Sequence, residues 1–567
     1  MDYKSEIAKI LSEPTGMSGG DITASLETPT NAALGDFAFP CHKLAKTLRK
    51  APNIIAADIA ASVKLPDAFA KVEAAGPYLN FFVDKEKFAR GIVNNVLKHG
   101  YGFGGSDEGK GKTIVIDYSS PNITHEFHVG HLYSTTIGAA LYRIYKFLGY
   151  TTVGVNYLGD WGTQFGKLVC AFKMWSSPEQ LDKDGINELT RVYVKFHAED
   201  EANPDMELKK EARKWLVKIE KGDAEARDIW KRICEICLAN MEITYKRLGI
   251  TFDSYRGESY YNDKMDAVAE ELREKELLKE SEGAQIVELE EFNMPPCLIL
   301  RSDGGTLYPT RDIATALDRI RNYSFYKSLY VTDVRQSLHF SQFFKVLELM
   351  GYEWVKDMVH IPYGLLSLET GALSSRKGNV ILLEDLFNES AKRILDIINE
   401  KNADLPDKEA IAEDVGVGAV VFGVLYTSRI KDLVFVWERA LNFDGETGPY
   451  VQYTHARASS VLIKSENIQE NHEPDYSAIT DEESFELIKA INIFPEKIRE
   501  AAEKYEPFIL SRSLVHVAQA FNKFYHEKPI LQSEGGVRAA RLELVKCSKY
   551  VLKTGLALLG IKAPEKM

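Results

Sequence analysis

A chain of 567 residues, 45% hydrophobic and 27% charged, has room for about three or four domains and the balance of an ordinary globular protein. A formal net charge of -13 opposes indiscriminate binding to polyanions, so any nucleic-acid partner has to be met by local basic patches. Six thinly scattered cysteines exclude a disulfide scaffold, and the lack of a leader-like start or a bilayer-length apolar run points to a cytoplasmic enzyme.

Residues 1–110 read as a small α+β domain: a turn-rich stretch at 31–39, helices at 44–48 and 54–63, and a strand at 78–83. Lys43, Lys46, Arg49 and Lys50 make a local basic cluster there, which by itself describes a solvated helix face. A glycine-rich linker at 102–111 follows. The segment 111–395 then alternates strand, loop and helix. An apolar β-branched run at 113–116 enters the loop Ser119 to His131, and an apolar-periodic helix from 132 stops at Gly149. A second β run at 151–157 leads into Gly159-Asp160-Trp161-Gly162, completing a β-α-β unit. From about 177 to 240 the composition turns to charged helix, an insertion between two halves. Within it, Cys234 and Cys237 lack the second ligand pair that zinc requires. The second half returns at 297–300, turns at 303–306, enters a helix at Tyr308-Pro309-Thr310-Arg311-Asp312, and continues with a strand at 328–331. This order predicts an α/β fold with a mostly parallel sheet. A small-residue basic loop follows at 371–379, and beyond 396 helix succeeds helix, with Leu514, Val517, Ala518, Phe521 and Phe524 on one buried face.

His128 and His131 lie three apart at a helix start directly after a strand, with Gly130 between them allowing close backbone approach. Helix N-termini above a parallel sheet attract phosphate, and two imidazoles there can donate to phosphoryl oxygens as charge develops on them. A metal-binding pair or two capping histidines are the alternatives that four residues alone leave open.

His128-Val129-Gly130-His131 resembles the first signature of class I aminoacyl-tRNA synthetases, and Ser374-Ser375-Arg376-Lys377-Gly378-Asn379 resembles a degenerate form of their lysine-rich loop. Together with Ser119-Ser120-Pro121-Asn122, the run Gly159 to Gly166 and the run Gly448 to Arg457, they resemble the arginyl-tRNA synthetase family, in that family's order and over most of the chain. The resemblance implies a tRNA-elbow-contacting domain at 1–110, a Rossmann-type parallel-sheet catalytic domain at 111–395 and an all-α anticodon-binding bundle at 396–567. It further implies a cytoplasmic monomer that uses ATP with Mg²⁺, L-arginine and tRNA(Arg), with no metal site of its own.

Carried over residue by residue, the resemblance assigns ATP to His128, Gly130, His131, His339, Ser374, Ser375, Arg376 and Lys377, with His128, His131, Arg376 and Lys377 as the catalytic set. It assigns the guanidinium of arginine to Tyr308 and Asp312, the ammonium or guanidinium to Glu258, and the α-end to Ser120, Asn122 and Gln336. Tyr450, Gln452, Tyr453 and Arg457 would meet tRNA. Two positions depart from the family: Ala372 and Ser375 stand where the loop has lysines, and His125 stands where some members carry a compensating lysine. A catalytically inactive tRNA-binding paralogue, another class I synthetase or a nucleotidyltransferase are the competing readings, and ATP consumption with arginine and tRNA separates the first of them.

Overall fold

Four aromatic rings gather the N-terminal residues: Tyr3 meets Phe37, Phe69 and Phe88 with ring centroids 6.4, 5.7 and 4.9 Å away. In the computed structural model, which describes residues 3–29, 31–124, 127–203, 207–302, 307–368, 381–468 and 472–567, these rings join helices to a three-stranded sheet. Its strands are β1 (Phe37–Pro40), β2 (Phe69–Ala75) and β3 (Tyr78–Val83), antiparallel in the order β1-β3-β2. The unit so formed comprises Met1–Phe103, Arg457–Phe494 and His516–Val551, so the N-terminal residues share one packing unit with C-terminal helices. Phe88 packs on Phe485 at 5.4 Å, and the Tyr476 hydroxyl donates to Glu543 Oε2 at 2.8 Å.

The second unit comprises Gly104–Ala456, Pro495–Val515 and Leu552–Met567. It holds β4 (Thr113–Asp117), β5 (Thr151–Val155), an antiparallel trio β6 (Lys279–Ser281), β7 (Ala284–Val287) and β8 (Cys297–Leu300), and then β9 (Lys327–Asp333) and β10 (Met358–Tyr363). Strands β10-β9-β4-β5 form one sheet in that order, and every pairing in it is parallel. The helix Leu132–Phe147 carries the chain from β4 outward to β5, whereas Ser337–Leu349 carries it from β9 outward to β10. The crossovers therefore depart in opposite directions, and a crevice opens above the carboxyl ends of β4 and β9, where Asp117 pairs with Tyr330. Ile313, Ala316 and Leu317 of the helix Tyr308–Tyr323 join Phe340 and Phe343 in the core with Val115 and Val155 of the sheet.

Residues 297–300 are a strand, but not of the parallel sheet. Cys297 and Ile299 are buried while Leu298 is 40% exposed, a one-sided alternation that fits an antiparallel strand and not one covered on both faces. After the helix Thr163–Trp175, the helices Pro178–Asp184, Ile186–Ala202, Leu208–Glu220 and Ala224–Arg247 fill the stretch where charged helix was expected. The run of helices after 396 is interrupted by β12 (Leu433–Phe435), which pairs in parallel with β11 (Leu366–Leu368); three residues are too short to show a period. Among the described residues no helix is long and apolar enough to cross a membrane.

Candidate active site

The chain leaves β4 through two consecutive residues in the left-handed region, Ser119 (φ 67°) and Ser120 (φ 44°). Such a conformation costs about 1–3 kcal/mol at each non-glycine residue and persists only where its surroundings over-determine it. Here they do. Ser119 N donates to Ser134 Oγ at 2.9 Å, and Ser120 N donates to Asn156 Oδ1 at 3.1 Å. Ser120 Oγ donates to Asp117 Oδ1 at 2.6 Å and accepts from Tyr157 N at 3.0 Å. Asp117 is in turn held by Arg319 Nη2 at 2.5 Å, a guanidinium only 1% exposed.

The loop opens onto a cavity of about 450 Å³ in the crevice, large enough for a small ligand. Ser120, Asn122, Glu258, Tyr308, Asp312, Gln336 and His339, which the sequence assigned to substrates, all line it. Tyr157, Trp161, Thr332 and Phe340 complete much of the wall. Three carboxylates, Asp117, Glu258 and Asp312, face this space, and among the described residues lining it there is no lysine or arginine. Two cations stand behind the wall: Arg319 on Asp117, and Arg311, whose Nη1 lies 3.0 Å from Glu258 Oε2.

His339, expected at the nucleotide, is turned toward Asp312, with Nε2 2.5 Å from Oδ2. Tyr308 is 66% exposed, so its ring stands at the mouth, whereas the Asp312 carboxylate lies deeper, about a quarter exposed. Glu258 is positioned by its backbone: its N–H donates to Leu158 O at 2.9 Å, and next to it Ser259 N and Oγ donate to the Asp160 carboxylate at 2.8 and 2.6 Å. A Cβ at Gly257 would fall 2.6 Å from Leu158 O, so only glycine lets this segment lie against the Gly159-Asp160 turn. Burial raises the Glu258 carboxyl to about 7; Arg311 opposes the rise, and Asp312 and Asp160 add to it.

Neither His128 nor His131 is among the described residues lining this cavity. They close the turn Val129–His131 on itself: Gly130 N donates to His128 Nδ1 at 3.0 Å and His128 N to His131 Nδ1 at 3.2 Å, a reciprocal capping box. An Nδ1 that accepts carries no proton, so each neutral ring bears its hydrogen on Nε2. The capping role, an alternative on sequence grounds, and a donor role are therefore compatible, because they use different nitrogens. The rings lie 4.0 Å apart, with Phe127 stacked on His131 at 5.0 Å.

Ser374, Ser375, Arg376, Lys377 and His125 lie outside the described residues. The described chain resumes beside the histidines, where Val129 N donates to Ile381 O at 3.1 Å and Leu383 N to Phe127 O at 3.0 Å. The strand Leu366–Leu368 also packs beside the turn Val129–His131.

The helix Gly448–Ser465 carries the four residues assigned to tRNA. Tyr453 is exposed and Tyr450 half-buried. Arg457 donates to Asn522 Oδ1 and lies over the Tyr525 ring. Gln452 is a correction: it is fully buried, its Nε2 donating to Lys562 O at 2.8 Å and Asp414 O at 3.2 Å, so it is a tie between chain segments and has no surface to offer tRNA. Gln452→Ala is expected to destabilise the fold by about 1–3 kcal/mol, read as a lower melting temperature, and to leave the KM for tRNA unchanged where the variant is folded. A raised tRNA KM with an unchanged melt would restore it to the binding set.

A histidine pair opening the helix at the switch point of a parallel sheet is the arrangement of the class I aminoacyl-tRNA synthetases. Comparison with known proteins narrows this further. Residues 92–437 match the family described as tRNA synthetases class I (R), catalytic domain, residues 451–567 the DALR anticodon binding domain, and residues 1–83 the arginyl tRNA synthetase N terminal domain. The arginine–tRNA ligase of Alkaliphilus metalliredigens is 51% identical and that of Clostridioides difficile 49%, each alignment covering 100% of both chains. The solved Thermus thermophilus arginyl-tRNA synthetase superposes with a TM-score of 0.82 at 28% identity, covering 100% of this chain and 99% of that one. The chain belongs to the arginyl-tRNA synthetase family, enzymes that consume ATP in joining arginine to tRNA.

Proposed function

We propose that the anionic cavity above β4 and β9 is the arginine site, in which L-arginine is activated by ATP before transfer to the 3′-terminal ribose of tRNA(Arg). The observation that carries this reading is the wall itself: with Asp117 balanced by the buried Arg319, the Asp312 and Glu258 carboxyls face the cavity with no lysine or arginine beside them among the described lining residues, which suits a ligand that is always positive. A guanidinium is planar and offers five donors in a fork, which Asp312, Glu258 and the Tyr308 hydroxyl answer with acceptors. Ser120, Asn122 and Gln336 take the α-end of the amino acid, and His339 holds the Asp312 carboxylate in place.

The arginine carboxylate oxygen attacks the α-phosphorus and pyrophosphate leaves; a ribose hydroxyl then takes the arginyl group and AMP leaves. Neither step needs a protein nucleophile, so catalysis consists of positioning and of donors aimed at growing phosphate charge. His128 and His131 supply Nε2–H donors, and Gly130 lets the nucleotide approach the backbone. Arg376 and Lys377 act on the leaving pyrophosphate with Ser374 and Ser375, an assignment supported by the described residues on either side of them, Leu366–Leu368 and Ile381, which meet the histidine turn. His125 stands where the resemblance places a compensating lysine in some family members, and takes that lysine's place. Mg²⁺ would be carried by the ATP phosphates and would offset their charge, because the Nδ1 lone pairs of the histidine pair are spent on backbone N–H groups and are not offered to a metal.

Tyr450, Tyr453 and Arg457 contact tRNA, residues 1–110 meet its elbow, 111–395 catalyse, and 396–567 read the anticodon. The enzyme works as a cytoplasmic monomer. The test is aminoacylation of total tRNA with each amino acid in turn: arginine alone is expected to be charged, with ATP consumed. Charging of another amino acid would overturn the arginine assignment, and no ATP consumption would leave an inactive tRNA-binding paralogue.

A further inference from the structure

Arg311 has no place in the assignments above, yet it sits between Tyr308 and Asp312 on the helix that supplies the guanidinium pocket. It does not line the cavity. Its Nη1 is 3.0 Å from Glu258 Oε2, with the two side chains 13% and 17% exposed. Its Nη2 also reaches Asn262 Oδ1 at 3.4 Å, which ties the helix to the segment that carries Glu258. Among the described residues, the other charged and titratable groups around Glu258 are Asp312 from the helix of Arg311, with His339 behind it, Asp160 from the turn after β5, Tyr157 just past β5 and Tyr308 at the mouth of the same cavity. Glu258 therefore stands among like charges, and Arg311 is the cation that balances it from behind.

We propose that Arg311 is a positioning residue that sets the affinity for arginine by fixing Glu258, in place and in charge, beside Asp312. This rests on the reading of the cavity as the arginine site. Its consequence is a proton linkage. When Glu258 is neutral, the incoming guanidinium has one carboxylate instead of two and must drive a proton from Glu258 into solvent. The KM for arginine is therefore expected to be flat above about pH 7 and to rise as pH falls, at most about tenfold per unit.

The experiment measures the KM for arginine and for ATP in tRNA aminoacylation between about pH 6 and 9 for the wild type, Glu258→Gln, Arg311→Lys and Arg311→Met. Glu258→Gln is expected to raise the arginine KM and abolish its break. Arg311→Met removes the balancing charge, so the break is expected to move up by about one unit or more, with affinity recovering toward pH 9. Arg311→Lys keeps the charge and the position of the break while raising the KM throughout. A break that stays put in Arg311→Met, or a KM raised by one factor at every pH, makes Arg311 merely structural and overturns the inference. A wild-type arginine KM in Glu258→Gln would instead remove Glu258 from the arginine site, a failure of the reading beneath. If Arg311→Met does not fold, calorimetry of arginine binding to the wild-type enzyme in two buffers of different ionisation heat decides. Release of a fraction of a proton that grows as pH falls through the neutral range is expected, and none released between about pH 6 and 8 overturns the proposal.

Discussion

Asp312→Ala is expected to raise the KM for arginine about 10²- to 10³-fold while the KM for ATP moves by no more than about threefold. The size follows from what is left behind. A guanidinium cannot shed its charge, and losing one partner of a desolvated, hydrogen-bonded charge pair costs about 2–5 kcal/mol. Glu258 softens the loss. Asp312 is one of the like charges that raise the Glu258 carboxyl, so its removal makes Glu258 ionise more readily and leaves it as a full carboxylate beside the guanidinium. The substitution also strips His339 of its partner, but that contact faces the same cavity and not the histidine turn. Steady-state kinetics in both substrates decide: parallel losses for arginine and ATP would place Asp312 in the general scaffold of the site and withdraw it from the guanidinium pocket.

What the sequence made legible was local. The run β4, the loop and the helix Leu132–Phe147 were readable because apolar β-branched residues, a turn and a helical period follow one another within a short stretch. Tyr308 and Asp312 were named by the resemblance, their helical spacing agrees with a shared face, and both line the cavity. Asp117 was passed over because the strand read from the sequence stopped at 116. Its importance comes from Arg319, far away in sequence, which reaches it only because β4 lies beside β9 and the helix Tyr308–Tyr323 packs on the sheet. Arg311 escaped notice for the opposite reason: a charge on a helix reads as a solvated face, and only the fold brings Glu258 against it. Gln452 misled because the buried side of its helix includes Gln452, His455 and Ser459, all fully buried, so the hydrophobic period that would have marked that side is missing. Residues 297–300 showed their strand character but not their sheet, since the choice depends on whether one face or both will be covered.

His131→Ala is expected to slow adenylate formation about 10²- to 10³-fold, with the KM values for ATP and arginine little changed. The ring does two things at once, and a pair of variants can divide them. Its Nδ1 accepts the His128 N–H and closes the turn, while its Nε2 carries the proton proposed to meet phosphate. Asparagine places a short acceptor near the Nδ1 position but has nothing where Nε2 stands, so His131→Asn is expected to keep the cap and lose the donor. Loss of the cap in His131→Ala should lower stability by about 1 kcal/mol, a difference that the melting temperature of the asparagine variant largely restores. Single-turnover formation of the adenylate, measured apart from binding, is the readout. If asparagine is as slow as alanine despite its recovered stability, the distal N–H acts on phosphate charge that grows in the transition state. If asparagine restores the rate along with the melt, the histidine is a helix cap, and the catalytic donors have to be sought at Arg376 and Lys377.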